Sequence, residues 1–98
     1  MENVIISDNV TEISDDTFSY CRKLKKITIP EGVVKIGDRA FYGCASLTDV
    51  TISESVREFG WNIFGGFSSK EFVLHVHKDS PAMQYAINNN LNYEVVEK

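Results

Sequence analysis

The two histidines are the first candidates for chemistry, because an imidazole can act as a metal ligand or as an acid–base group near neutral pH. His75 and His77 are two residues apart in a run that predicts a β-strand, so both side chains point to the same outward face, with Asp79 close by. A zinc site requires three or four ligands, and the spacing supplies no third one. The pattern favours two solvated strand histidines and predicts no metal site.

The two cysteines are the second candidates, because a thiolate is a nucleophile. Cys21 and Cys44 occupy equivalent positions in the repeat described below, so they should lie side by side in neighbouring units. That separation is compatible with a disulfide, but parallel side chains suit its geometry poorly. A free cysteine is also a good small core residue, and both histidines occupy other positions in the repeat. We therefore expect two reduced core thiols.

No other motif indicates an enzyme. The sequence contains no Gly-x-Ser-x-Gly, and its glycines, Gly65-Gly66 included, form neither a phosphate-binding loop nor a dinucleotide fingerprint. We therefore predict no catalytic residues and no cofactor.

Composition and charge narrow the class of partner. The 98 residues are enough for a single domain. Ten Lys and Arg against fourteen Asp and Glu give a net charge of −4, which argues against nucleic acid and anionic membranes as partners. No stretch approaches the ~20 apolar residues of a membrane-spanning helix, and the polar start of the chain is not a signal peptide.

The positions of these residues are set by an internal repeat. Shifting the chain by 23 residues aligns three units without a gap, at residues 4–26, 27–49 and 50–72, and leaves residues 73–98 as a C-terminal cap. Seven columns are apolar in every unit except for Lys70, whereas the positions between them vary freely. The aligned apolar columns begin with the following residues: Val4, Ile6, Val10, Ile13, Phe18, Cys21 and Leu24.

A fixed apolar set between variable positions predicts a solenoid, because stacking buries the apolar edge that one unit cannot cover. Ile27-Thr28-Ile29 predicts a short strand, and Asp38–Tyr42 predicts a helical turn that ends at Gly43. One extra residue in the third unit moves the next strand to a spacing of 24. Ser80-Pro81 predicts the start of a helix, and Asn92–Val96 predicts a final extended segment.

The run from Leu24 to Leu47 closely resembles the BspA-like leucine-rich repeat: Leu24-x-x-Ile-Thr-Ile-Pro-x-Gly-Val-x-x-Ile-Gly-x-x-Ala-Phe-x-Gly-Cys-x-x-Leu47. The resemblance covers nearly the whole chain. It implies a right-handed α/β-type leucine-rich-repeat solenoid of short parallel strands, with a mostly irregular convex side and a C-terminal helical cap. It also implies a non-enzymatic protein, at the cell surface or secreted, that serves in adhesion or protein binding.

The outward strand positions are the predicted binding surface, because stacked units present side chains there on a regular lattice. This concave face is expected to contain the following residues: Ile5, Lys26, Thr28, Asp49, Thr51 and His75. Trp61 is a second candidate, since its column otherwise holds Asp15 and Asp38 and should be exposed. Two alternatives stay open for Trp61, a contact with a partner or packing against the cap.

The Val4–Ile6 strand is predicted to be an uncovered edge, which invites pairing with another chain. Either the sequence is the C-terminal piece of a longer array, or it self-associates through that edge. The predicted ligand is a protein or a glycan, with no nucleic acid and no membrane insertion. The alternative function is a purely structural segment that caps or spaces a repeat array.

Overall fold

The computed structural model describes residues 3–4, 6–7, 9–65 and 72–96. Ile5, Gly66 and Lys70, which were named above, lie outside these residues. The elements follow in chain order: β1 (Asn3–Val4), β2 (Glu12–Ile13), β3 (Lys26–Ile29), β4 (Lys35–Ile36), β5 (Asp49–Ile52), β6 (Glu58–Phe59), β7 (Val73–His77), α1 (Pro81–Asn88) and β8 (Tyr93–Val96).

Two parallel sheets run along a solenoid of about three turns. The larger sheet has the strand order β1-β3-β5-β7-β8, and the smaller has the order β2-β4-β6. Ile27 pairs with Val50 and Val50 pairs with Leu74, which confirms the predicted spacings of 23 and then 24 residues. The predicted solenoid of short parallel strands is therefore confirmed. We call its successive 23-residue units coils 1, 2 and 3.

Alternation along each strand separates the core from the surface. In β3, Ile27 and Ile29 are buried whereas Lys26 and Thr28 are exposed, because successive side chains of a strand point to opposite faces. In β5 and β7 the same alternation holds, with half-buried residues at the outward positions. A continuous apolar core therefore runs along the inner side of the large sheet.

Aromatic rings form a second ladder inside the coils. Phe18 stacks on Phe41 with ring centroids 5.3 Å apart, and Phe41 stacks on Phe64 at 5.5 Å, with interplanar angles of 10° and 8°. Phe41 is fully buried between its two neighbours. The predicted column of equivalent phenylalanines is therefore a stack of rings.

The predicted helical turn at Asp38–Tyr42 is wrong, because this segment forms successive turns and no helix. Alternate amides leave their own coil: the N–H groups of residues 39, 41 and 43 donate to the carbonyl oxygens of residues 61, 63 and 65, at 3.1, 3.0 and 2.9 Å. These donors cannot also form the i→i−4 bonds of a helix. Arg39 also has a φ of 54°, in the left-handed region.

The C-terminal segment departs from the repeat as predicted, with a single helix. The Ser80 hydroxyl accepts a hydrogen bond from the Met83 amide at 3.1 Å and so caps α1. Ala82 and Ala86 are buried, and the Tyr85 ring stacks on Phe59 at 4.6 Å. The chain then returns in β8, which pairs with β7 in parallel.

We predict that Phe41→Ala lowers the free energy of unfolding by about 3–5 kcal/mol, because a buried ring is removed from between two others. Phe18→Ala is the matched control, since Phe18 is only half-buried and stacks on one ring. Urea unfolding followed by circular dichroism measures both changes. Equal losses in the two variants would contradict the stacked arrangement.

Candidate partner-binding face

The outward residues of the large sheet lie in two straight rows. Strand pairing places the first row across four strands: Thr28, Thr51, His75 and Glu94. The second row lies beside it: Lys26, Asp49 and Val73. We call these seven residues the outer sheet face. Five of the six predicted concave-face residues belong to it, and the sixth, Ile5, lies outside the described residues.

His75 is the centre of this face, because its ring contacts both neighbouring strands. Its Nε2 lies 2.8 Å from Asp49 Oδ1, a hydrogen-bond distance, and its Nδ1 lies 3.6 Å from Glu94 Oε1. Asp49 also accepts a hydrogen bond from the Thr48 hydroxyl at 2.8 Å. These contacts hold the imidazole in place between β5 and β8.

The hydrogen bond from His75 lowers the pKa of Asp49, and the Thr48 hydroxyl lowers it further. Slight burial acts in the opposite direction, whereas the charges of His75 and Lys26 add smaller stabilisation of the carboxylate. Asp49 is therefore a fixed negative charge on the outer sheet face.

His77 lies on the same side of β7 as His75 and is half-buried. Across residues 3–4, 6–7, 9–65 and 72–96, no three His, Cys, Asp or Glu side chains form a group arranged to hold a metal ion.

The cysteines are both free thiols, and Cys44 is completely buried. Its Sγ lies 3.1 Å from the Phe18 carbonyl oxygen, to which the thiol donates. Burial raises the pKa of Cys44 to about 11. The thiol is therefore protonated at neutral pH and acts as a core residue.

Trp61 lies in solvent, with 61% of its surface exposed. Its ring contacts the neighbouring coil, where the Arg39 guanidinium carbon is 5.3 Å from the ring centroid. Arg39 Nε is in turn 3.2 Å from Asp16 Oδ1 in the coil before. Trp61 is thus exposed and packs on Arg39 of the coil before it. We call Asp16, Arg39 and Trp61 the turn-side cluster.

Two features were missed by reasoning from the sequence. Glu94 joins the outer row because β8 pairs with β7, but α1 interrupts the repeat before β8 and removes the 23-residue signal. Arg39 joins Trp61 because equivalent turns stack, and an alternation of Asp16, Arg39 and Asn62 in one column was the available hint. The opposite charges of Asp16 and Arg39 in that column were the signal that could have predicted the cluster.

The chain belongs to the BspA type leucine rich repeat family, whose model matches residues 1–93 as a region of six copies. The resemblance of the run from Leu24 to Leu47 is therefore confirmed. No curated protein and no solved structure matches the chain. The family is one of repeat proteins that are generally non-enzymatic, often bind proteins or act in adhesion, and are typically surface or secreted.

Within the described part of the chain, no helix combines the length and the apolar character needed to cross a bilayer.

We predict that Asp49→Asn flattens the decline of stability as the pH falls below about 4. The folded pKa of Asp49 lies below its ordinary value of 3.8, so its stabilising contribution is complete above that value and is lost as the pH falls through the lowered pKa. Urea midpoints across the pH range measure the slope. His75→Ala should flatten it in the same way, and a slope unchanged in both variants would contradict the pair.

We predict that Cys44 reacts with iodoacetamide roughly a hundredfold more slowly than an unperturbed thiol, because its pKa is raised from 9.0 to about 11. Cys21, which is only half-buried, should be labelled first. Mass spectrometry of peptides from the folded and the urea-unfolded protein gives the order. Preferential labelling of Cys44 in the folded protein would disprove its place in the core.

Proposed function

We propose that this domain is a non-enzymatic protein-binding or adhesion module and that the outer sheet face makes the contact. The observation that carries the proposal is the register of the two outward rows, whose side chains from consecutive strands are all polar or charged except that of Val73. Membership of the repeat family supports a binding role of this class.

The outer sheet face suits recognition because its side chains do not pack in the core. Each outward position can change without altering the buried columns, so the surface is free to match a ligand. Lys26 provides a cation, Asp49 and Glu94 provide anions, and the threonines provide hydroxyls that donate and accept hydrogen bonds. His75 is already held by Asp49, which reduces the ordering cost on binding.

The turn-side cluster is proposed as a separate contact. Trp and Arg are enriched at the energetic centres of protein interfaces, and here both are positioned by neighbouring side chains. The Ser19 hydroxyl reinforces the cluster, since it donates to Asp16 Oδ1 at 2.9 Å or to the Arg39 carbonyl at 2.6 Å. An ordered Arg–Trp pair loses less side-chain entropy when a partner docks.

We propose a protein as the ligand and the cell surface or the secreted fraction as the location, both supported by the family. A glycan is the other ligand class. Surface Trp and Asp side chains are compatible with either class, so the test described next offers both.

The test is binding of the labelled domain to one array of purified extracellular proteins and one array of glycans. We predict that Thr28→Glu combined with Thr51→Glu weakens the protein interaction at least about tenfold, because like charges then crowd the centre of the outer row. Val34→Glu is the matched control, since Val34 is exposed but lies off this face. Binding unchanged by the double substitution would remove the outer sheet face from the proposal, and binding to glycans alone would replace the ligand class.

The second candidate function is a purely structural segment that terminates or spaces a repeat array and self-associates through the β1 edge. The favouring observation is an apolar hollow of about 310 Å³ at coil 1, lined in part by Ile6, Val10 and Phe18. No interaction with either array, together with self-association, would favour this function over ligand binding.

A further inference from the structure

The side chains of β8 that face the core are not fully covered. Tyr93 and Val95 pair in register with Leu74 and Val76, which are fully buried. Tyr93 and Val95 are nevertheless 38% and 44% exposed. Among the described residues β8 pairs only with β7, so its other edge presents free backbone groups beside these two apolar side chains.

Helix α1 extends this apolar surface. Its inner side packs on coil 3, where Tyr85 stacks on Phe59 at 4.6 Å. Ile87 follows two residues later, which on an α-helix is about 200° around the axis from Tyr85, and it is 44% exposed. We call Ile87, Tyr93 and Val95 the C-terminal end face.

The opposite end of the solenoid is a hollow. Val10 and Phe18 are only half-buried, whereas their equivalents in coil 2, Val33 and Phe41, are fully buried. The hollow of about 310 Å³ described above lies here, with Glu12 and Thr17 among its lining residues. We call this hollow and the β1 edge the N-terminal end face.

We propose that the C-terminal end face of one molecule docks on the N-terminal end face of a second copy, so that β8 lies beside β1 of the next molecule. This inference rests on the β1-edge association proposed above and names the surface that fills it. Every strand of the large sheet is parallel, and translation along the stack keeps the added strands parallel. The apolar rows of Leu74 and Val76 would continue through Tyr93 and Val95 into the next copy.

Ser14 gives a second, independent reason to expect the C-terminal end face of another copy, and not a further repeat coil, on the N-terminal end face. The equivalent residue in coil 2 is Gly37, and a Cβ placed there would lie 2.6 Å from the backbone nitrogen of Asp15 in the coil before. Gly60 is confined in the same way by Asp38. A coil that stacked on coil 1 in this geometry, with an aspartate turn of its own, would bring its backbone nitrogen about as close to the Cβ of Ser14. At the C-terminal end, α1 lies beside the last turn. A helix in that position does not bring an aspartate turn against Ser14.

The contact joins two different surfaces and does not close on itself, so it produces chains of molecules and not a symmetric dimer. The outer sheet face stays free and its rows continue from copy to copy. The outer sheet face of one molecule is small compared with a standard interface, which buries roughly 800 Å² per partner. An assembled stack would enlarge that face.

The experiment is sedimentation of the whole chain from about 10 μM to about 1 mM, a range that reaches weak specific association. The average mass of the wild type should rise continuously above the monomer mass of 11.1 kDa. Val95→Lys should block one end and Thr17→Lys the other, so each variant alone should remain a monomer. Their equimolar mixture should form a dimer, because each supplies the end that the other lacks.

Val34→Lys is the matched control, since Val34 is exposed to a similar extent away from both ends and should not impair association. Ile87→Lys replaces Val95→Lys if circular dichroism shows that the latter is unfolded. A wild type that stays monomeric throughout would overturn both this inference and the β1-edge association. Dimers of Val95→Lys alone would overturn this inference but keep the β1-edge association. An equimolar mixture that stays monomeric would also overturn this inference.

Discussion

Hydrogen bonding between equivalent positions of successive coils is the constraint on which the rest of the structure depends. Both sheets pair residues 23 apart in coils 1 and 2, and the turns add a third line of backbone hydrogen bonds between coils. With three such lines, every side chain must tolerate its own equivalent as a neighbour. Gly37 shows the consequence most sharply, because the aspartate of the coil before it leaves no room for a Cβ.

The same constraint separates stability from function. Inward columns are apolar throughout the described part of the coils, and the stacked rings of Phe18, Phe41 and Phe64 are the clearest example. Outward columns meet solvent, so a change there costs the core nothing. The outer sheet face therefore gathers residues of different chemistry, and His75 links three of the strands by contacting Asp49 and Glu94.

The 23-residue period allowed the strand register, the core and the phenylalanine column to be predicted, because equivalent residues face equivalent environments. The turn at Asp38–Tyr42 was mispredicted, since its local pattern resembles a helix while its alternate amides donate to the next coil. Glu94 was missed because α1 breaks the period before β8. The exposure of Tyr93 and Val95 depends on what lies beyond the last strand, and no repeat column describes that.

Hydrogen exchange at the amides of Arg39, Phe41 and Gly43 tests most directly whether coils are tied together along the turns as well as along the sheets. These amides should exchange only through opening of the stack, with protection close to that of β3 and β5. Exchange at the rate of an unstructured peptide, while β3 and β5 stay protected, would contradict a solenoid held together along three lines.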